Sequence, residues 1–91
     1  MSGSLSTTIA VNQVATSTTS AEAIAARPSR YRVLIKNVDT AITQYIGTGT
    51  VTSTNSMVLL AGESIALETS AAINALSASG TPRLAYVEEY R

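Results

Sequence analysis

The sequence predicts an all-β fold: a small antiparallel β-sandwich, jelly-roll-like, with seven or eight short strands and an N-terminal extended arm. Three observations predict it. Several runs alternate apolar and polar residues with period two, which places successive side chains on opposite faces of a strand. Turn-forming clusters separate these runs at intervals of about ten residues, the spacing of sandwiches and barrels. Ser and Thr make up 25 of the 91 residues, and both suit turns and exposed sheet faces.

The elements follow in order. Residues 1–6 are small and polar, and the arm is placed over residues 1–8, with a single domain over 9–91. The first strand pattern starts inside that arm, at Thr7, and runs to Val14 with Ile9 and Val11 on one face. Residues 21–26 are compatible with a short helix by propensity or with a strand, and the β context favours strand. Pro28 cannot donate to a sheet and biases Arg27 to extended backbone, so it marks a corner. The strand over 31–38 is expected to be central and covered on both sides, because Val33, Leu34 and Ile35 are apolar on both faces. Asp39-Thr40-Ala41 is expected to turn the chain into a hairpin partner over 42–47, where Ile42, Gln44 and Ile46 oppose Thr43 and Tyr45. Residues 47–56 form the longest polar loop. Short strands follow at 57–60, 64–68 and 73–77, with Gly62 expected to supply positive φ in the first turn between them. The last strand covers 84–90, with Leu84 and Tyr86 on the face opposite Ala85 and Val87 and with Glu88-Glu89 read as its solvated end.

Composition narrows the function classes. A 91-residue chain forms at most one domain and buries roughly 60–65% of its unfolded surface, which favours stability gained from partners or from its own copies. Six basic residues balance six acidic ones, so no electrostatic footprint for nucleic acid is expected. Cys is absent, which excludes disulfides and thiolate metal sites. The opening Met-Ser-Gly-Ser-Leu-Ser does not read as a signal peptide, and no apolar run approaches the roughly 18 residues of a membrane span. Without His, Ser/His/Asp and Cys/His nucleophilic arrangements cannot be built, nor a cupin-type metal site. Gly47-Thr48-Gly49 lacks the lysine and helix of a phosphate loop. Glu63 and Glu68 are expected on opposite faces, so they do not form a carboxylate pair. No enzyme and no cofactor are therefore expected.

Two features point to contact with a partner. The basic cluster Arg27, Arg30 and Arg32 could grip carboxylates of a neighbouring subunit bidentately; the plain alternative is surface charge at a sheet corner. The arm and first strand, with Leu5, Ile9 and Val11, could pair with a sheet edge on another chain; the plain alternative is a tail leading into an edge strand.

Four runs carry a resemblance: Arg-Pro-Ser-Arg-Tyr-Arg-Val-Leu-Ile-Lys-Asn-Val (27–38), Gln-Tyr-Ile-Gly-Thr-Gly (44–49), Leu-Leu-Ala-Gly-Glu-Ser-Ile-Ala-Leu-Glu-Thr (59–69) and Ile-Asn-Ala-Leu-Ser-Ala-Ser-Gly-Thr (73–81). Together they resemble small tailed-phage virion proteins, the capsid decoration (cement) proteins and the β-sandwich modules of head or tail fibres. The resemblance implies a virion location at the capsid surface, the major capsid protein or another virion protein as partner, and a homo-oligomer, commonly a trimer. The leading expectation is decoration that bridges neighbouring shell subunits. A head-fibre or tail adaptor module and a carbohydrate-binding adhesion module are the alternatives.

Overall fold

The structure, a computed structural model, describes residues 8–91. Its eight strands are β1 (Thr8–Ala15), β2 (Ala21–Ile24), β3 (Arg30–Asn37), β4 (Gln44–Gly47), β5 (Met57–Leu59), β6 (Ser64–Leu67), β7 (Ile73–Ser77) and β8 (Arg83–Tyr90). They form two four-stranded sheets, β1-β8-β3-β6 and β2-β7-β4-β5, with every pair antiparallel. This is the strand order of a jelly roll. Residues 21–24 are strand, as the β context favoured.

Among consecutive strands only β4 and β5 pair with each other; every other connection crosses between the sheets. The hairpin expected between β3 and residues 42–47 is therefore absent. The Asp39 carboxylate accepts the amides of Ala41 (2.9 Å) and Ile42 (2.7 Å), an Asx turn that steers the chain to the opposite sheet. Those two amides, Ile42 first, hold the Asp39 carboxyl below its ordinary value of 3.8. At residues 60–63 the Glu63 amide donates to the Leu60 carbonyl at 2.9 Å, with Gly62 at φ 81. A side chain would be strained at that φ.

The core lies between the sheets. Ile24, Val33, Ile35, Ile46, Leu59, Ile73, Ala75 and Leu84 are all buried, and Val14, Ile65, Leu67 and Tyr86 pack against them. The expectation that β3 is covered on both faces is corrected: Leu34 points outward and is 38% exposed. β3 is central by its two hydrogen-bonded neighbours, β8 and β6, but the described residues provide no layer above it.

Polar residues close both ends of the core. At one end Gln44 donates to Asn37 Oδ1 (2.7 Å) and to the Arg83 carbonyl (2.9 Å), and its Oε1 accepts the Thr16 hydroxyl (2.6 Å). Asn37 in turn donates to the carbonyls of Ile42 (2.8 Å) and Leu59 (3.0 Å). These carbonyls sit where strands leave the ladder, and buried backbone groups need such donors. The opposite end holds the arginine corner.

Candidate functional site

Pro28 starts the corner. The Arg30 amide donates to the Arg27 carbonyl at 2.9 Å, closing a turn with Pro28 in its second position. Next, β3 bulges against β8: Arg30 pairs with Tyr90 and Arg32 with Glu89, so Tyr31 is the extra residue. A bulge re-aims side chains. Regular alternation would put Arg30 on the same outer face as Arg32, Leu34 and Lys36. The bulge turns it inward instead.

Arg30 is 2% exposed. Its guanidinium donates to Glu88 Oε2 (2.7 Å), to the Ala25 carbonyl (3.1 Å) and to the Thr69 carbonyl (2.8 Å), and also to the Ala71 carbonyl. One side chain thus joins β3 and β8 to the segments that follow β2 and β6. The other carboxylate oxygen of Glu88 lies 3.7 Å from Arg27, whose guanidinium sits 4.0 Å from the centre of the Tyr90 ring. Glu88 is buried, which corrects its reading as a solvated strand end. It shares the inward face with Leu84 and Tyr86.

The structure separates the candidate partner residues into two groups. Arg27 and Arg30 meet on Glu88, inside their own chain, so Arg30 offers no free guanidinium to a neighbour. Arg32 points the other way and lies 3.5 Å from Glu89, with about half of its side chain exposed. Ile9 and Val11 share that outer face and are 59% and 69% exposed. β1 is an edge strand of its sheet. Leu5 lies outside the described residues.

Sequence reasoning missed the residues that complete this outer face. Val11 pairs with Val87, Val87 with Leu34, and Leu34 with Ala66, one apolar row across all four strands. The signal was present in the alternation of β3 and β8, but the row exists only once strand order is known.

An open groove of about 510 Å³ lies at the arginine end between the sheets, lined by Ile46, Met57, Leu67, Glu68, Thr69 and Ile73 among others. Among the described residues Glu68 is the one titratable side chain lining it. A single carboxylate has no second group with which to divide acid and base roles. Among the described residues no group of three or more His, Cys, Asp or Glu side chains could hold a metal ion.

No family model matches the chain, and no curated protein matches it in sequence. Its structure is similar to the stem and receptor binding domain of the spike protein P1 from bacteriophage PM2, with a TM-score of 0.68 and 18% identity. The likeness covers 88% of this chain and 32% of that one, so the chain spans about a third of the spike chain's length. What the two proteins share, at this identity, is the fold: two antiparallel sheets packed into a small β-sandwich.

Proposed function

We propose that this chain is a non-enzymatic structural β module on the outside of a bacteriophage particle, of the spike or fibre type. The observation that carries the reading is the match of 88% of the chain to a phage spike domain. The sequence resemblance to phage virion modules points to the same broad class. Its partners are other virion proteins and copies of itself.

Capsid decoration is the second reading, and the exposed apolar row on the β1-β8-β3-β6 sheet favours it, since such a row suits burial against a shell. The arginine corner no longer supports bridging in the manner first expected, because Arg30 and Glu88 are engaged with each other. Bridging would have to use Ile9, Val11 and Arg32 instead.

The test is the copy number of this chain in purified particles, by quantitative mass spectrometry against the major shell subunit. Few copies support a spike or fibre module. Numbers comparable to the shell subunit support decoration. Absence from particles overturns the virion reading and leaves a free binding module, for which a glycan array is the next assay.

A further inference from the structure

The outer face of the β1-β8-β3-β6 sheet has a pattern that selects its own partner. Its residues fall into rows across the strands, given by the pairing registers. The middle row is Val11, Val87, Leu34, Ala66. On one side of it lie Ile9, Glu89 and Arg32; on the other lie Gln13, Ala85, Lys36 and Ser64. Ile9, Val11 and Leu34 are exposed by 59%, 69% and 38%.

We propose that this face docks a second copy of the same chain through a two-fold axis parallel to the strands, between β8 and β3. That axis lays β8 of one copy over β3 of the other without changing the row. Val87 then faces Leu34 of the second copy, and Val11 faces Ala66. Glu89 faces Arg32 of the second copy, and Arg32 faces Glu89. The four charges form an alternating cluster beside the apolar row. In the free chain Arg32 and Glu89 lie 3.5 Å apart with side chains 46% and 26% exposed, so each has an open side for a second partner.

The rival two-fold axis, perpendicular to the strands, is disfavoured by charge. It exchanges the two flanking rows and sets Arg32 against Lys36 of the second copy. Like charges juxtaposed across an interface cost several kcal/mol. Isologous contacts of this kind are the commonest in soluble oligomers, and two sheets packed face to face keep their strands within about 30° of each other. Sheet twist concentrates the contact on the two central strands, β8 and β3, which carry the complementary charges. The opposite sheet also shows an outer apolar row, Val58, Tyr45 and Leu76, but no opposed charges beside it fix an orientation.

The contact needs no virion, so its test is separate from the copy-number measurement. The full chain is examined by native mass spectrometry and sedimentation, alone and as Arg32→Glu and Glu89→Arg. Both single variants lose the internal Arg32–Glu89 pair, and both place like charges across the two-fold. Each is expected to weaken the dimer at least about tenfold, with unchanged circular dichroism. An equimolar mixture of the two restores opposite charges across the interface and is expected to give heterodimers at the affinity of the original chain. Leu34→Asp, in the apolar row, is expected to abolish dimers with the fold intact. A wild-type monomer or trimer, dimers indifferent to Arg32→Glu, or no heterodimer on mixing would overturn the proposal.

Discussion

The two ends of the sandwich solve one problem with different chemistry. Because most connections cross between the sheets, carbonyls at strand ends leave the ladder and need donors inside the protein. At one end neutral groups supply them: Gln44 and Asn37 serve Arg83, Ile42 and Leu59. At the other end a charged group does: Arg30 serves Ala25, Thr69 and Ala71 and balances Glu88. The neutral end loses dipole partners when cut. The ionic end also strands a buried charge, which is far more costly.

That difference ranks the outcomes of mutation. Arg30→Leu is expected to have the largest effect, about 3–5 kcal/mol, the range for breaking a buried ion pair from one side. For a chain of this size with about 5–14 kcal/mol of total stability, such a loss removes a substantial fraction of it and, at the low end of that range, unfolds much of the population. Urea denaturation measures it, and an effect no larger than that at Gln44 would break the comparison.

Gln44→Leu comes next. It removes three hydrogen bonds and leaves Asn37 Oδ1, the Thr16 hydroxyl and the Arg83 carbonyl with only their longer second contacts, to the Asp39 amide (3.1 Å), the Pro82 carbonyl (3.4 Å) and the Val38 amide (3.3 Å), for an expected loss of about 1–3 kcal/mol. The same denaturation series sharpens the contrast, since the two sites are equally buried.

Asp39→Asn is expected to give a smaller, pH-dependent loss. Asp39 has a lowered folded pKa, so its contribution is fully present above the ordinary value of 3.8 and disappears as pH falls through the lower folded value. Stability differences between the two proteins should therefore be visible near neutral pH and shrink below pH 3.8. Thermal melts across that range test the sign.

Arg32→Ala is expected to change the stability of the isolated subunit least, by no more than about 1 kcal/mol, as for an exposed ion pair. It lies two positions from Arg30, so the pair isolates the effect of the bulge.

The fold was legible in the sequence wherever alternation was regular. β4 has the expected faces, β6 and β7 form where short strands were expected, and the turn at Gly62 has the expected φ. Glu88 was legible too, because it continues the inward parity of Leu84 and Tyr86, but its charge argued for solvent. The parity was the better guide. Arg30 was not legible: a one-residue bulge at Tyr31 reverses its phase, and nothing local announces a bulge. The Asp39 turn had the composition of a hairpin turn, yet the choice between pairing with β3 and crossing to the other sheet depends on long-range partners. The apolar outer row belongs to the same class, since it assembles four segments far apart in sequence.

The most direct measurement compares equilibrium unfolding of Arg30→Leu and Arg32→Leu in the isolated subunit, at protein concentrations too low for two copies to pair. If the arginine corner is an internal clamp, the midpoint falls sharply for Arg30→Leu and barely moves for Arg32→Leu. Equal, small shifts for both would contradict it and would return Arg30 to the surface as a grip on a neighbouring subunit.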